Sequence, residues 1–469
     1  MEELEKIIDR VNNVVNSFVW GPVMIAFIIF VGVMFTVRTK WFQLTKFRLW
    51  MKETFFAIFT KKSVRCKKDG SSISQFQSLA TALAGTLGTG SVAGVATAIV
   101  LGGPGAVFWM WVSAFFGMMT TFAENVLGIK YRYKNEQGKW IGGAMVYLER
   151  GLNCKPLAVI FSFFCVLASF GIGNMTQANS ISSALEASFH VPPIATGLVT
   201  AIFVTLVIIG GITRIGKVTE KIIPFIAVAY IAGCLFVIFV NWENIPKAFA
   251  DIFQGAFSLQ SAGGGAAGYM CMRALHYGVA RGVFSNEAGL GSSVMVHSAS
   301  DVKEPVQQGM WGIFEVFTDT IVVCTITALV ILTTGVCDYN IDPCTGQAIL
   351  DGVPLTSAAF SCGLGEFGGY FVSLSIVLFA FATILGWSYY GERGVEYLFG
   401  NKAIPIYKVI FSFMTMIGCV SELQLVWSIS DTFNGLMAIP NLIGLVFLSG
   451  VVVKETKGYL ERQRSQRLH

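Results

Sequence analysis

Charged residues are scarce in this chain. Of its 469 residues, 13% are Asp, Glu, Lys or Arg and 54% are hydrophobic, whereas about a quarter of the residues in a soluble domain are charged. This composition excludes a soluble globular protein. Because apolar runs of about twenty residues recur along the chain, it predicts a polytopic membrane protein. The net charge of +5 comes from basic residues concentrated in a few loops, which reflects membrane topology and does not indicate a nucleic-acid partner.

Histidine is also rare, which argues against a membrane enzyme. The four histidines lie at predicted span ends or at the C-terminus, and they show neither metal-ligand spacing nor a pairing of nucleophile and base. We therefore expect no enzymatic activity and no organic cofactor. The N-terminal segment lacks the basic start and short apolar core of a cleavable signal, so we expect the chain to keep it.

Most of the ten cysteines lie within apolar spans, where we expect them to be small core residues. Only Cys337, Cys344 and Cys362 share one polar loop. That loop has room for one disulfide bridge and would leave one odd thiol.

Hydropathy predicts an all-α integral membrane protein with eleven transmembrane helices. Each segment is long enough to cross a bilayer, for which about twenty residues suffice. The predicted spans are 19–37, 77–101, 106–129, 157–179, 194–212, 222–240, 253–279, 311–335, 370–390, 405–421 and 425–453.

Loop charges predict the orientation of these spans. Ten lysines and arginines lie in 38–68, and the loops 130–155 and 214–221 and the tail 454–467 are also basic. The loop 336–367 has four acidic residues and no lysine or arginine. The positive-inside rule therefore places the N-terminus outside and the C-terminus in the cytoplasm.

The span 77–101 is unusual because its middle is rich in glycine and hydroxyl groups. The residues concerned are Gly85, Thr86, Gly88, Thr89, Gly90, Ser91 and Gly94. Glycines weaken a helix, and non-helical backbone within a membrane is tolerated only where it lines a cavity. We therefore predict an interrupted helix that forms a binding site. The run 88–94 does not fit a dinucleotide site, since it has no preceding strand and no acid before Glu124.

A second glycine-rich stretch, 261–268, interrupts the seventh predicted span. Two sets of five spans then each begin with an interrupted helix, and the odd number of crossings makes these two helices antiparallel. This layout indicates a transporter with inverted repeats, namely 71–245 and 246–453. An N-terminal segment, 1–70, precedes the repeats, and a basic tail, 454–469, follows them. The alternative is that the glycines serve close helix packing.

Five sequence motifs resemble the alanine/glycine:cation symporter family, the sodium:alanine symporters. They are TALAGTLGTGSVAGVATAIVLGGPGAVFWMW at 81–111, FGIGNMTQANS at 170–180, RGVFSNEAGLGS at 281–292, LGWSYYGE at 385–392 and MAIPNLIGL at 437–445. The resemblance implies the inverted five-plus-five fold of the leucine transporter with one extra N-terminal helix. It also implies uptake of alanine, glycine or similar small neutral amino acids together with Na⁺.

The resemblance and the exposed backbone of an interrupted helix together assign the site. Substrate contacts are expected from Thr86, Gly88, Thr89, Gly90, Ser91, Phe170, Asn174, Gln177, Gly264, Ala266 and Trp387, and sodium contacts from Thr86, Thr89 and Thr383. The alternatives are a hydrogen bond to the same helix for each hydroxyl, interhelical bonding for Asn174 and core packing for Phe170. Asn174 and Gln177 are three apart, so they can face the same way on a helix.

The chain departs from the family pattern at three positions: Ser91, where asparagine is common, Ala266, where an aromatic residue is common, and Arg273, where small or amide residues are usual. An intramembrane arginine is expected to face a cavity or an acid. Asp319 and Glu124 are the candidate acids.

Three further interpretations stay open. Asp319 could instead carry protons, which would make the protein a proton-coupled amino-acid carrier, and a channel is a weaker alternative. The motif from Asn286 to Gly289 is interpreted as a gate or capping feature.

Overall fold

The computed structural model describes residues 2–67, 72–136, 138–257, 265–340, 348–421 and 424–468. Its first half contains these helices: α1 Glu2–Val19, α2 Pro22–Arg38, α3 Phe42–Thr45, α4 Phe47–Glu53, α5 Phe55–Thr60, α6 Lys62–Arg65, α7 Gln75–Thr86, α8 Val95–Gly102, α9 Gly105–Tyr131, α10 Ala144–Arg150, α11 Lys155–Phe170, α12 Thr176–Phe189, α13 Pro193–Ile208, α14 Gly211–Val240 and α15 Ile245–Phe257. A short hairpin of β1 Tyr133–Lys134 and β2 Trp140–Ile141 follows α9, with the strands antiparallel.

The second half contains these helices: α16 Gly265–Asn286, α17 Val294–Ser298, α18 Pro305–Val316, α19 Thr325–Thr333, α20 Gly352–Leu364, α21 Glu366–Phe399, α22 Ile404–Val420 and α23 Gln424–Leu468. Three stretches are wound as π-helix: Gly90–Gly94 before α8, Gly171–Met175 between α11 and α12, and Phe317–Cys324 between α18 and α19. Short 3₁₀ turns occupy Trp242–Asn244, Val336–Tyr339 and Asn401–Ala403.

Among the described residues, eight helical stretches are long and apolar enough to cross a membrane, or nine if α7 and the bent helix after it are counted as one span. The fifth predicted span corresponds to α13, a shorter apolar helix of 16 residues. The seventh predicted span falls partly on residues outside the described ranges. A multi-pass helical membrane protein is therefore confirmed, and the count of eleven stays a prediction.

The first interruption lies where the glycines and hydroxyls predict it. Helix α7 begins with a capping box between Ser74 and Gln77 and ends at Thr86. There the Gly88 N–H turns back to the Thr86 carbonyl at 2.8 Å. The chain resumes as the π-helical turn Gly90–Gly94, and the axes before and after the break differ by 48°. This span is therefore a broken helix.

The second interruption differs from its predicted position. Residues 258–264 lie outside the described ranges, but from Gly265 the chain is helical without a break to Asn286. The break follows Asn286, where Glu287, Gly289 and Gly291 have positive φ angles of 57°, 91° and 74°. Such angles do not continue a right-handed helix. The motif interpreted as a gate or cap is therefore the interruption between α16 and α17.

The two interrupted helices run antiparallel, while the repeat layout stays a prediction. Along the pair, contacts at increasing residue numbers of the first helix are made with decreasing residue numbers of the second. The contacts are Ser78 Oγ to His297 Nδ1 at 3.0 Å, Gly90 against the Ser285 backbone, and Gly102 against the Ala274 backbone. The two breaks therefore face each other in the middle of the protein.

The structure also bears on the sequence predictions about cysteines and acidic residues. Cys344 lies outside the described residues, so the predicted bridge is not tested there, and Cys362 is a free, exposed thiol.

Glu124 on α9 accepts hydrogen bonds from the Gly291 N–H at 3.1 Å and the Asn441 amide at 2.6 Å. It therefore stabilises the second interruption. The Arg273 guanidinium lies 5.8 Å from the Tyr277 ring.

We expect Gly105→Ala to lower the thermal stability. A Cβ at Gly105, at the start of α9, would lie 2.2 Å from the Gly255 carbonyl carbon and 2.4 Å from the Ala256 nitrogen. These are backbone atoms of α15, so α9 and α15 would have to move apart, and overpacking of this kind typically costs about 1–3 kcal/mol. The measurement is thermal unfolding of the detergent-solubilised protein.

The matched control is Gly450→Ala in α23, where an added Cβ has no neighbour within 4 Å. Because alanine favours a helix interior over glycine by about 1 kcal/mol, this variant should be as stable as the parent or more so. Equal unfolding temperatures for the two variants would contradict the close backbone contact between α9 and α15.

Candidate functional site

A small cavity lies between the two interruptions. Its lining residues come from both interrupted helices and from α12, α21 and α23: Gly85, Thr86, Gly88, Thr89, Gly90, Ile172, Gln177, Phe284, Glu287, Thr383, Trp387 and Asn434. Its volume is about 10 Å³, which is near the minimum for a single water molecule. An amino acid would therefore fit only after the surrounding helices separate slightly.

The structure brings seven predicted site residues to this cavity. They are Thr86, Gly88, Thr89, Gly90, Gln177, Thr383 and Trp387. Three of them meet at Gly88, where a Cβ would lie 2.5 Å from Thr383 Oγ1 and 3.5 Å from Gln177 Oε1. Only a glycine at this position lets α7, α12 and α21 come this close.

Three buried oxygens at the cavity have no hydrogen-bond partner among the described residues. They are Thr89 Oγ1, Gln177 Oε1 and Asn434 Oδ1. The Gln177 amide nitrogen donates to the Ile172 carbonyl at 3.1 Å, which leaves its oxygen turned toward Gly88. A buried polar group without a partner costs about 1–3 kcal/mol. The site therefore suits a ligand that brings hydrogen-bond donors or a positive charge.

The Thr383 hydroxyl lies at the broken end of α7. It donates to the Ala84 carbonyl at 2.7 Å and also lies 3.0 Å from the Phe379 carbonyl of its own helix. Since a hydroxyl has one proton and two lone pairs, its oxygen can donate one hydrogen bond and still coordinate a cation. Oxygen ligands of this kind suit a hard ion. Thr86 also lines the cavity, and its hydroxyl makes only a long 3.5 Å contact with the Leu83 carbonyl.

Trp387 forms one wall of the cavity. Its side chain is 2% exposed and packs edge-on against Tyr390, with ring centroids 5.3 Å apart. A Cβ at Gly173 would lie 2.4 Å from Trp387 Cβ. The indole is therefore fixed by packing against Tyr390 and Gly173, and Trp387 does not lie at the membrane interface.

Four predicted site residues are not at the cavity or cannot be placed there. Asn174 donates to the Phe411 carbonyl at 2.7 Å and accepts from Thr415 at 2.8 Å, which is the interhelical alternative. Phe170 packs on Tyr407 and Phe411 in the core. Gly264 lies outside the described residues, and Ala266 belongs to α16, although its side chain is not among those described.

Ser91 is also not a lining residue of the cavity. Its hydroxyl donates to Asp319 Oδ1 at 2.7 Å, and the Ser285 hydroxyl donates to the same oxygen at 3.0 Å. Thr320 donates to the other carboxylate oxygen at 2.7 Å. Asp319 therefore joins the two interrupted helices through their serines, and the contact between Ser91 and the substrate stays a prediction.

Sequence reasoning did not assign Phe284 and Asn434 to the site, and it included Glu287 only within the motif interpreted as a gate or capping feature. Glu287 is a buried carboxylate in the second interruption, and the Ser292 hydroxyl donates to it. A carboxylate next to an apolar span is itself a signal of function. Phe284 and Asn434 carry no such signal, since an aromatic ring or an amide inside a span is usually a packing residue.

Beyond Phe284 lies a second, wide cavity of about 760 Å³, lined by α8, α12, α16 and α20. Phe284 borders both cavities, and its ring stacks on Trp427 with centroids 6.2 Å apart and an interplanar angle of 14°. Phe284 therefore lies between the small cavity and the wide vestibule, with Trp427 stacked on it.

Comparison with known proteins identifies the family. The family model described as the sodium:alanine symporter family matches residues 4–469. The chain belongs to the sodium:alanine symporter family. Members of this family are transporters and not enzymes, and the resemblance stated from the sequence motifs is confirmed.

Relatives of this chain match over nearly their whole length. It is 48% identical over 458 residues to the sodium/alanine symporter AgcS of Methanococcus maripaludis, covering 97% of this chain and 98% of the relative. It is 36% identical over 464 residues to the probable sodium/glutamine symporter GlnT of Bacillus subtilis, covering 98% of this chain and 93% of the relative.

Among solved structures, the chain resembles MhsT in complex with L-phenylalanine. The TM-score is 0.56 at 13% sequence identity, and the match covers 83% of this chain and 99% of MhsT. At this identity the likeness concerns the fold alone, which is that of the leucine transporter.

We expect Gly88→Ala to abolish most amino-acid uptake. The added methyl would lie 2.5 Å from Thr383 Oγ1 and would push α21 away from α7 at the cavity. Gly94→Ala is the control, because a Cβ there meets nothing within 4 Å. The measurement is uptake by proteoliposomes that contain equal amounts of protein. Similar uptake by both variants would contradict the close contact at Gly88.

Proposed function

We propose that the protein is a sodium-coupled symporter that imports alanine, glycine or a similarly small neutral amino acid. One observation carries this proposal: two interrupted, antiparallel helices meet around one cavity whose buried oxygens lack partners among the described residues. A zwitterionic amino acid and a sodium ion together supply the donors and the positive charge that such oxygens need. The family and the name of the 48% identical relative support the same pair of substrates.

The substrate carboxylate is assigned to the start of the helix after the first interruption. The first N–H groups of a helix have no partners within it, and they favour an anion. Thr89 and Gly90 stand at this position and line the cavity. The substrate ammonium group is assigned to Gln177 Oε1 and Asn434 Oδ1, the acceptors without partners in the described ranges.

Two aromatic side chains support the choice of a small amino acid. Trp387 and Phe284 line the same small cavity, and Gly173 packs closely against the Trp387 side chain. In a pocket of this type each excess or missing methylene changes binding by about 1–3 kcal/mol. A hydrogen or methyl side chain fits such walls better than a long one.

Sodium is assigned to the other side of the first interruption. Its proposed ligands are the hydroxyls of Thr383, Thr89 and Thr86, together with carbonyls at the C-terminal end of α7. That helix end carries partial negative charge, which favours a cation. Entry of one such cation, driven by a membrane potential of about 100 mV, yields about 2.3 kcal/mol before any concentration gradient is counted.

We propose that transport occurs by alternating access, which the two-cavity arrangement supports. We propose that 71–245 and 246–453 are inverted repeats, with 1–70 and 454–469 added at the ends. The antiparallel contacts of the interrupted helices support this division. By the positive-inside rule, the wide vestibule faces outside. Movement of Phe284 away from Trp427 would open the small cavity to it, and rocking of one helix group would open the other side.

The test uses proteoliposomes with an inward Na⁺ gradient and labelled alanine. We expect uphill accumulation, which a channel does not produce. Thr383→Val should raise the Na⁺ concentration for half-maximal uptake by about tenfold, which corresponds to about 1.4 kcal/mol of binding, and should leave the order of preference among amino acids unchanged. Thr383→Ser retains the hydroxyl and should behave like the parent.

Unchanged sodium activation in Thr383→Val would refute the assigned sodium ligand. If Thr383→Val loses both its amino-acid preference and its sodium activation, Thr383 supports the cavity as a whole and is not specifically a sodium ligand. Failure of the parent to accumulate alanine against a gradient would refute the symporter itself.

Proton coupling is the second candidate, because two buried carboxylates lie at or beside the cavity. Neither Glu287 nor Asp319 forms an ion pair with a cation in the described ranges of the chain. If protons drive transport, alanine should accumulate in Na⁺-free vesicles under an inward proton gradient, and Asp319→Asn should abolish that accumulation. Uptake that requires Na⁺ and is indifferent to the proton gradient would exclude this candidate.

A further inference from the structure

A basic cavity lies far from the transport site, where α2 ends against the C-terminal half of α23. Its volume is about 550 Å³. Five of its lining residues are cations, and one is an acid, Glu461. The cations are Arg38, Lys40, Lys46, Lys457 and Arg464.

These five cations are not neutralised within the described structure. Among the described residues, none of them forms an ion pair with a carboxylate, although charged neighbours on the same face do: Lys130 pairs with Glu455 at 2.7 Å and Arg462 with Glu304 at 2.7 Å. Within the described part of the chain, Arg38 donates to the neutral Ser449 hydroxyl and to no carboxylate. Like charges gathered in a cavity repel each other, so the cavity favours an anionic ligand.

The turn that carries Lys40 is held in place before any ligand binds. Lys40 and Trp41 have consecutive positive φ angles of 58° and 55°, which are uncommon for residues other than glycine. The Trp41 N–H bonds to the Thr36 carbonyl at 2.7 Å, and the buried Gln43 amide donates to the Thr36 hydroxyl at 2.9 Å. Strained backbone of this kind persists where the surroundings enforce it, and it often marks a functional site.

The cavity lies at the level of the membrane surface. Helix α2 crosses the membrane and ends at Arg38. The short helices α3, α4 and α5 follow it directly, and they expose large apolar side chains next to basic ones. These exposed side chains are Trp41, Leu44, Phe47, Phe55, Phe56 and Phe59. Aromatic and basic residues in such short amphipathic segments are typical of the boundary between headgroups and acyl chains.

We propose that this basic cavity binds the phosphate-bearing headgroup of an anionic membrane phospholipid. Basic pockets between transmembrane helices are a known solution for acidic headgroups. A free phosphate ion shares the headgroup chemistry, but the exposed aromatic side chains beside the cavity provide an apolar surface for acyl chains, which only a lipid would use. The site is separate from the transport cavity and does not depend on the proposed substrate.

The test compares the full-length protein in nanodiscs of phosphatidylcholine alone and of phosphatidylcholine with one fifth phosphatidylglycerol. Retained lipids are counted by native mass spectrometry after mild delipidation. We expect the parent to retain phosphatidylglycerol about tenfold over its share in the nanodisc. The variant Lys40→Gln/Lys46→Gln/Lys457→Gln should lose this preference.

The control variant is Lys52→Gln/Lys62→Gln/Lys67→Gln. It removes the same charge from exposed positions of the same loop region outside the cavity, and it should retain phosphatidylglycerol like the parent. If both variants lose the preference for phosphatidylglycerol equally, the preference depends on surface charge alone, and the proposal is overturned.

A third arm adds millimolar inorganic phosphate to the parent in phosphatidylcholine nanodiscs and measures the unfolding temperature. We expect phosphatidylglycerol to raise that temperature and phosphate not to. A rise of the same size with phosphate alone would show a free-anion site and overturn the lipid assignment. No preference of the parent for phosphatidylglycerol would also overturn it, whether or not the variants fold.

Discussion

A polypeptide backbone that leaves the helical conformation inside a membrane must find new partners for its N–H and C=O groups, because lipid provides none. The rest of this structure depends on that constraint. At the first interruption the Leu87 and Gly88 N–H groups bond back to α7, and the Thr383 hydroxyl reaches the Ala84 carbonyl. At the second, Glu124 accepts from the Gly291 N–H, and the Asn286 side chain accepts from the Ala288 N–H. Three buried side-chain oxygens without partners among the described residues, on Thr89, Gln177 and Asn434, line the cavity between the two interruptions.

The same constraint explains why an apolar protein has so many buried polar side chains around its interrupted helices. Asp319 joins the first helix to the second through Ser91 and Ser285. Nearer the start of α7, Gln308 donates to both Ser78 and the ring of His297. These bonds connect α7, α17 and α18. Helix α9 packs along both α16 and α18. A group of helices connected in this way can move as one unit, which is what rocking about a fixed site requires.

The surface of the protein is adapted to the membrane, just as its interior is adapted to the interrupted helices. Large apolar side chains are exposed along α13 and α14, among them Phe203 and Phe239, and they suit contact with lipid tails. Charged side chains gather at the ends of the spans, where several are paired, as Arg393 is with Glu392 at 2.6 Å. The basic cavity beside α2 differs because five of its lining residues are cations that form no ion pair within the described residues.

Hydropathy by itself determined the class of the protein and the position of most spans. The span predicted at 106–129 is α9, Gly105–Tyr131, since a membrane requires long apolar helices wherever the chain crosses it. Composition also located the first interruption, because four glycines within ten residues weaken a helix locally. The motifs identified the family, and from it Gln177, Thr383 and Trp387 could be assigned to one site before any contact was visible.

Only the tertiary structure decided where the second interruption lies and which polar residues face the cavity. Gly265 to Gly268 are helical, whereas the chain breaks at Glu287, where Glu124 and Asn441, distant in sequence, satisfy the freed backbone. Asn174 and Gln177 should share a face at α-helical spacing, but the wider π-helical turn at Gly171–Met175 turns Asn174 toward α22 and leaves Gln177 at the cavity. Local sequence specifies which conformations a segment can adopt. The partners that stabilise one of them come from elsewhere in the chain, and the fold brings them together.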